Sequence, residues 1–369
     1  MTAARATART QGPVRIVGAG LLGASIGLAL RAFGVEVQLA DISPASVRLA
    51  VDYGAGRAAA AGDQPKLVVV CVPPDVVAQT VAAELAAYPD ALVTDVASVK
   101  LAPLGELREM GADISRYVGS HPMAGRERGG AIAARADLFV GRPWVIANHD
   151  GIADRRAADS VLEALALDLG AAPVELDAAE HDRSVALVSH VPQVISSLLA
   201  TRLLDASDAA VGLAGQGLRD TTRIAGSQPE LWVQILGANA EQVVGVLENY
   251  RDDLDRVITA LAKPSEPGAL RVVAEALARG NAGVERIPGK HGTAKHFSQL
   301  VVLVDDLPGQ LARLLTEIGS IGVNVEDLRL EHSPGAQFGL AEISVVPEIE
   351  NHLIAELQSR GWKIAGATA

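Results

Sequence analysis

The chain has 369 residues, of which 49% are hydrophobic and 21% charged, and its net charge at pH 7 is −12. This length fits two or three domains of roughly 100–200 residues each. The acidic balance argues against a nucleic-acid partner, because a negative surface repels the phosphate backbone. A single cysteine excludes an intramolecular disulfide and a Cys-rich metal site.

The N-terminal segment, residues 1–12, carries arginine but no continuous apolar core, which predicts a disordered tail rather than a secretory signal. No uninterrupted apolar run approaches the ~18–20 residues that span a bilayer. We therefore expect a cytoplasmic protein without a membrane partner. Cys71 lies in the apolar run LVVVCVPP and is expected to be a buried, inert thiol.

Residues 14–44 indicate a strand, a glycine turn, a helix and a second strand. Gly18, Gly20 and Gly23 fit the pattern G-x-G-x-x-G, in which the glycines permit a tight turn, close approach to a pyrophosphate and close helix packing. The free N–H groups of the helix start bind an anion without any lysine or arginine. Asp41 ends the second strand, where a carboxylate suits ribose hydroxyls and repels a 2′-phosphate, so NAD is expected rather than NADP.

Further strands and helices alternate up to residue 178. The strands are expected at 66–74, 91–100, 116–122, 143–148 and 172–178, with helices at 76–85, 103–110 and 154–170. This order predicts a Rossmann-like, doubly wound, mostly parallel sheet in a dinucleotide-binding domain over 13–178. Ligands of such sheets sit beyond the carboxyl ends of the strands, where Pro73, Ser98 and His121 lie.

From residue 179 the alternation stops, and 179–288 is predicted to be an all-helical domain that binds substrate and forms a dimer. Its helices are apolar on more than one side, which indicates burial against a second subunit. Arg219 and Arg223 lie beside apolar residues and could bind a carboxylate. A structural pair between an arginine and Asp220 is the alternative.

The polar segment 289–296 is expected to be a linker to a last domain over 297–369. Its predicted order, βαββαβ, is ferredoxin-like. The segment lacks a catalytic cluster, so a regulatory role is expected.

Several motifs in this order resemble the prephenate/arogenate dehydrogenase family over nearly the whole chain. They are GAGLLGASIGLAL, DVASVK, GSHPMAGRERGG, SHVPQ and GLRDTTRIAGSQPELW. The segment DLPGQLARLLTEIGSIGVNVEDL resembles an ACT domain. The family oxidatively decarboxylates a cyclohexadienol with NAD+ as hydride acceptor.

The resemblance implies a role for each matched residue. His121 accepts the proton of the carbinol hydroxyl. Ser98 lies beside this histidine and the substrate hydroxyl and orients them by hydrogen bonding. Arg223 holds a substrate carboxylate. The other implied substrate-binding residues are Ser189, Gln193, Arg219, Glu127 and Trp232. The implied cofactor-binding residues are Gly18, Gly20, Leu21, Leu22, Gly23, Asp41, Val72, Pro73 and Ser98. No metal is implied.

Gln193 departs from the family pattern, because several relatives have histidine at that place in SHVPQ. The sequence does not decide between prephenate and arogenate, and prephenate is our preference. The ACT-like segment implies an amino-acid effector, most simply tyrosine, at Asp306, Pro308, Gly309 and Asn324.

Two other functions are compatible with parts of the sequence. A 3-hydroxyacid or 6-phosphogluconate-type dehydrogenase would need a lysine on the helix 189–204, which has none. A non-catalytic sensor of NAD or an amino acid is the alternative from another class. A metal enzyme is disfavoured, and His181 and Asp182 in AEHDRS are interpreted as a helix cap.

Overall fold

The computed structural model describes residues 7–125, 129–288, 297–332 and 338–368. Its first sheet has five parallel strands in the order β3-β2-β1-β4-β5. The strands are β1 (Val14–Val17), β2 (Val37–Ala40), β3 (Arg57–Ala58), β4 (Leu67–Val70) and β5 (Leu92–Asp95). The helices between them are α1 (Leu21–Ala32), α2 (Pro44–Asp52), α3 (Val77–Ala87) and, after β5, α4 (Leu101–Glu109).

Local sequence explains these elements. The strand β4 reads LVVV and is buried throughout, as expected for a central parallel strand covered on both faces. Helix α1 ends where Gly34 takes a positive φ of 82°. Helix α2 begins with Pro44 after the cap Ser43, whose side chain accepts the N–H of Ser46 at 3.3 Å.

A second, three-stranded sheet departs from the single doubly wound sheet that the sequence predicts. It contains β6 (Gly119–Pro122), antiparallel to β7 (Pro143–Asn148), and β8 (Ala172–Asp177), parallel to β7. Helix α5 (Arg155–Asp168) connects β7 to β8. One bridge, Val93 to Tyr117, joins the first sheet to the approach of β6. Near this boundary the Ser120 carbonyl accepts a hydrogen bond from the Lys100 side chain.

The predicted disordered tail is wrong for residues 7–12. The backbone N–H groups of Arg9 and Thr10 donate to the Asp168 carboxylate at 2.9 and 2.7 Å, and Thr10 is buried. Residues 7–12 take a defined conformation because these hydrogen bonds satisfy a buried carboxylate near the end of α5.

Helices dominate the chain from residue 178 to 284, as predicted. They are α6 (Ala178–Val185), α7 (Val191–Thr201), α8 (Asp208–Gly212), α9 (Gln216–Thr222), α10 (Pro229–Ala238), α11 (Ala240–Ala262) and α12 (Ala269–Val284). A π-helical turn, Ala186–His190, joins α6 to α7. The interpretation of His181 and Asp182 as a cap of their own helix is wrong, because Asp177 caps α6 by accepting the N–H of Glu180 at 2.7 Å.

By length and composition alone, the stretch Ala178–Asp205 could cross a membrane. Its most apolar window has a mean hydropathy of 1.3 and is 33% buried. Core helices of globular proteins meet the same criterion. This stretch also contains His181 and Asp182, both buried and hydrogen-bonded within the protein.

Packing divides the chain into two compact units, residues 1–205 with 222–250 and residues 206–221 with 251–369. The predicted helical domain is therefore shared between the two units. The second unit contains a four-stranded antiparallel sheet in the order β10-β11-β9-β12. Its elements are β9 (Ser298–Asp305), α13 (Gln310–Ser320), β10 (Asp327–His332), β11 (Phe338–Val345), α14 (Glu350–Ser359) and β12 (Lys363–Thr368).

Candidate active site

The glycine turn after β1 has the geometry that a dinucleotide requires. Gly18 has a φ of 102°, and a Cβ there would lie 2.3 Å from the Cys71 carbonyl oxygen. A Cβ on Gly23 would lie 1.9 Å from the Gly18 oxygen, so helix and strand can approach only without a side chain. Around Gly20 no atom lies within 4 Å of a built Cβ, which leaves open space at the start of α1. Leu21 and Leu22 form the first turn of α1, where free N–H groups point outward.

Asp41 lies directly beyond β2 and contacts the same turn. Its carboxylate accepts the N–H of Ala19 at 2.8 Å and the N–H of Ser43 at 2.8 Å. The contact with Ala19 places the carboxylate beside the glycine turn, as the predicted ribose role requires. The preference for NAD over NADP stays a prediction.

The other predicted cofactor residues follow neighbouring strands of the same sheet. Val72 and Pro73 follow β4, and Ser98 lies between β5 and α4. Because β2, β1, β4 and β5 are adjacent and parallel, these residues share one sheet edge with the glycine turn. Among the described residues the Ser98 hydroxyl has no hydrogen-bond partner.

His121 lies on β6 and starts a chain of buried hydrogen bonds. Its Nδ1 is 2.8 Å from Nε2 of His181, and Nδ1 of His181 is 2.7 Å from Oδ1 of Asp182. The two histidine rings meet edge to face, with centroids 5.1 Å apart. His121 is 7% exposed, while His181 and Asp182 are 0% and 1% exposed. The Asp182 carboxylate also accepts the N–H groups of Lys100 and Leu101 at 2.9 Å each, so it caps the start of α4.

This environment lowers the pKa of His121 well below its usual value of 6.5. Burial is the largest cause, and the nearby His181, Lys100 and His190 act in the same direction. His121 is therefore neutral at pH 7, and its Nε2 makes no hydrogen bond to any other described residue. A neutral imidazole with one free nitrogen can accept a proton.

A second buried cluster supports the strand that carries His121. Lys100 pairs with Asp95 and donates to the Ser120 carbonyl at 2.7 Å. Asp95 also accepts the Tyr117 hydroxyl at 2.7 Å. Burial lowers the pKa of Lys100, which Asp95 opposes, and burial and Asp95 together raise the pKa of Tyr117. The cluster fixes the loop after β5 to the residue next to His121.

A third group of polar contacts lies on the helices that follow α6. The Asn239 amide donates to the Asp182 carbonyl at 2.8 Å and lies 3.1 Å from Nδ1 of His190. Burial lowers the pKa of His190 to about 4. The Trp232 ring meets His190 edge to face at 6.1 Å, so this predicted substrate residue is linked to Asp182 through three successive contacts.

Other predicted substrate residues lie on the same helical segment. Ser189 is half-buried in the π-helical turn. Gln193 is buried on α7, and its amide lies 3.4 Å from the Ser197 hydroxyl. Arg223 begins a 3-10 turn, Arg223–Gly226, that packs against α7.

Both candidate arginines are exposed, and neither forms an ion pair within the described ranges. The alternative of a structural pair with Asp220 is wrong in this part of the chain, because that carboxylate accepts the Gln216 amide at 2.8 Å. Arg219 lies on α9. Glu127 falls outside the described residues.

Sequence reasoning missed His181, Asp182, Lys100 and Asn239. The doublet His-Asp just ahead of the apolar run VALV was the available signal, since a buried charged pair needs a partner. Among the described residues no group of three metal-binding side chains is present. Burial raises the pKa of the Cys71 thiol, as an inert cysteine requires.

Two family models match the chain. Residues 26–172 match the nucleotide-binding domain of prephenate dehydrogenase, and residues 177–275 match its dimerization domain. Together they cover well over half of the sequence. The chain belongs to the prephenate dehydrogenase family.

Curated relatives from this family align over most of the chain. A Streptomyces niveus protein named probable prephenate dehydrogenase NovF is 38% identical over 94% of this chain and 98% of its own. The cyclohexadienyl dehydrogenase of Zymomonas mobilis is 30% identical over 68% of this chain and 88% of its own.

Solved structures of the family agree with this fold. The Synechocystis arogenate dehydrogenase has a TM-score of 0.61 at 28% identity, covering 73% of this chain and 99% of its own. The Aquifex aeolicus prephenate dehydrogenase, solved with hydroxyphenyl propionate and NAD+, has a TM-score of 0.62 at 26% identity, covering 73% and 97%. The chain is thus an NAD-dependent oxidoreductase of the prephenate dehydrogenase family, with a Rossmann-like domain followed by a helical domain.

Proposed function

We propose that the chain oxidatively decarboxylates prephenate to 4-hydroxyphenylpyruvate, with His121 as the general base. The supporting observation is the free Nε2 of a buried, neutral His121 on a strand beside the nucleotide-binding sheet. Arogenate is the second candidate substrate, since one solved relative is an arogenate dehydrogenase.

The residues present fit the cofactor. The open space at Gly20 and the uncapped start of α1 suit a pyrophosphate, and Asp41 suits the ribose hydroxyls. When bound, NAD+ supplies the hydride acceptor. Helix α10 carries Trp232 and packs against the turn Pro74–Val76, which follows Pro73. Trp232 therefore lies on a helix beside the proposed nucleotide-binding residues.

The protein residues bind the substrate and accept its proton. His121 Nε2 takes the proton of the carbinol hydroxyl as the carbon–hydrogen bond breaks. The ring carboxylate then leaves as CO2, its bonding electrons make the ring aromatic, and the resulting phenolate oxygen takes the proton back. The Ser98 hydroxyl is available to orient that hydroxyl group. Burial excludes water, so proton transfer occurs in a site with fixed dipoles.

The substrate assay has a clear expected result. NADH formation, followed by absorbance at 340 nm, should be faster with prephenate than with arogenate at equal concentration. If only arogenate were turned over, arogenate would be the substrate and prephenate would be excluded. Turnover of neither, with NAD+ still bound, would support the sensor alternative.

Replacing Arg223 by alanine should mainly raise KM for the substrate. The exposed guanidinium is available to a carboxylate, and an Arg–carboxylate pair that is largely desolvated in the complex is worth on the order of 3–5 kcal/mol when one partner is removed. Steady-state kinetics should show kcat changing much less than KM. Arg202→Ala, on the neighbouring turn Arg202–Asp205, is the matched control. A fall in kcat at unchanged KM would contradict the role.

A homodimer is proposed from the helical segment. The dimerization-domain match spans residues 177–275, and α11 and α12 expose large apolar side chains that a second subunit would cover. They are Leu254, Ile258, Leu261, Leu270 and Leu277. The cytoplasmic location and the absence of nucleic-acid and membrane partners stay predictions.

An ACT-like, ferredoxin-like regulatory domain is proposed for 297–369. The element order βαββαβ supports it, and β10 is an edge strand that another copy could extend. Asp306 and Pro308 are exposed in the turn after β9, Gly309 has a φ of 89°, and Asn324 is exposed before β10. These four residues are the proposed effector site.

Isothermal titration tests the effector. Tyrosine should release heat on binding to the full-length protein, and it should lower the rate of NADH formation. Asn324→Ala should weaken tyrosine binding without changing turnover. No heat with tyrosine, phenylalanine or tryptophan would leave the domain with a structural role in the dimer.

A further inference from the structure

The hydrogen bonds around Asp182 have only one consistent direction. A carboxylate accepts and cannot donate, and two backbone N–H groups, of Lys100 and Leu101, already point at it. The third contact, from Nδ1 of His181 at 2.7 Å, is therefore a donated N–H. When His181 carries one N–H, that N–H is the one donated to Asp182, and its Nε2 can only accept.

The same logic extends to His121. Its Nδ1 lies 2.8 Å from the bare Nε2 of His181, so the proton in that contact belongs to His121. A neutral imidazole carries one N–H, which leaves Nε2 of His121 unprotonated. Asp182 thus determines, through His181, which nitrogen of His121 can act as a base.

We propose that His181 and Asp182 are positioning residues that hold His121 in its Nδ1–H tautomer, with Nε2 directed to the substrate hydroxyl. This inference rests on the proposed function, in which His121 is the base. Neither residue touches the substrate. Their effect on the reaction is transmitted through the His121 ring.

The hydrogen bonds from His121 to Asp182 also link the base to a negative charge during turnover. As the O–H bond of the carbinol breaks, the proton forms a new bond to Nε2 of His121, and the ring becomes an imidazolium. Lys100 and His190 lie near this ring and disfavour a positive charge on it. Asp182 carries the negative charge at the far end of the chain, and Asp95 pairs with Lys100. The Nδ1–H bond to His181 persists throughout.

The tautomer can be observed without any turnover. In the full-length protein labelled with 15N at histidine, the resonances of His121 and His181 are assigned by comparison with their substituted variants. Both rings should show a protonated Nδ1 and an unprotonated Nε2 at pH 7. A protonated Nε2 on His121 in the wild-type protein would overturn the proposal.

Two substitutions at His181 separate hydrogen bonding from packing. His181→Phe keeps a ring but provides no acceptor, so His121 should lose its single tautomer and kcat should fall on the order of 10²-fold. His181→Gln retains an oxygen that can accept from Nδ1 of His121, so it should keep the tautomer and recover most of kcat. KM should change little in both variants.

His149→Phe is the matched control. This half-buried histidine belongs to the same unit but bonds the Tyr117 carbonyl and the Gly151 N–H instead, and it should leave kcat unchanged. If His181→Phe also kept the wild-type kcat, or if His181→Gln lost as much as His181→Phe, the positioning role would be wrong.

The His121 and His181 variants together distinguish a failure of this proposal from a failure of the proposed function. If His121→Ala retained turnover, the role of His121 as base would fail, whereas the tautomer seen by NMR would be unaffected. If His121→Ala lost turnover but His181→Phe did not, only the positioning role would fail.

Discussion

Replacing His121 by alanine is expected to lower kcat by about 10²–10⁴-fold and to leave KM for the substrate nearly unchanged. The imidazole is the proposed acceptor of the carbinol proton, and it does not hold the substrate carboxylate. Steady-state kinetics with saturating NAD+ measure both parameters. His149→Ala is the control, because His149 takes no part in the hydrogen bonds that link His121 to Asp182. A loss smaller than about tenfold would contradict the role of His121 as the base.

The pH profile of kcat/KM gives an independent check. Burial places the pKa of His121 well below 6.5, so the imidazole is protonated only in more acidic solution. Activity that needs its neutral form should therefore persist as pH falls through 6.5 and decline only well below that value. An acid limb centred at 6.5 or above would mean that His121 is more solvated than the structure shows.

Replacing Asp95 by alanine is expected to give the largest loss of stability, about 3–5 kcal/mol. The substitution leaves the ammonium of Lys100, which is 1% exposed, without its counter-charge, and it removes the acceptor of the Tyr117 hydroxyl. For a domain of this size the melting temperature should fall by roughly 10 °C. Thermal unfolding followed by circular dichroism measures the effect.

A double variant tests whether the loss of stability comes from the unpaired charge of Lys100 or from lost packing. Asp95→Ala combined with Lys100→Met removes the unpaired charge, so it should be more stable than Asp95→Ala alone. Asp150→Ala removes a carboxylate that is 89% exposed and pairs with Arg108, so it should change the melting temperature little. Equal melting temperatures for Asp95→Ala and the wild type would refute the structural role of this pair.

The nucleotide-binding part could be predicted from sequence because its signals are local. Gly18, Gly20 and Gly23 stand at fixed spacing between a strand and a helix, and the structure shows a steric reason for two of them. The order of strands and helices followed from runs of apolar residues and their periodicity. His121 was identified because a proline follows it at a strand end, within a matched motif.

The partners of His121 could not be predicted in the same way. His181 is 60 residues away along the chain, and its ring reaches His121 only after α6 packs against the second sheet. From sequence alone the doublet His181–Asp182 resembled a helix start, because polar residues favour such positions. Asp177 has that role in the structure, and Asp182 caps a different helix, α4. Long-range capping of this kind leaves no local pattern.

The second sheet illustrates the same limit. Apolar periodicity predicted strands at 116–122 and 143–148 but not which sheet they join or in which direction. In the structure the carbonyl of Ser120 on β6 accepts a hydrogen bond from the Lys100 side chain. A lysine in a strand-to-helix loop is normally solvated, so its burial was not expected from the sequence.

The π-helical turn between α6 and α7 has a geometric consequence for the whole helical segment. A π turn contains one residue more than an α turn, so every side chain after it is rotated by about 100° relative to an uninterrupted α-helix. The two halves of the segment therefore present different faces to the interior. His190 and Gln193 are both buried with this offset in place. A deletion of one residue between 186 and 189 should therefore turn His190 away from Asn239 while preserving the helix.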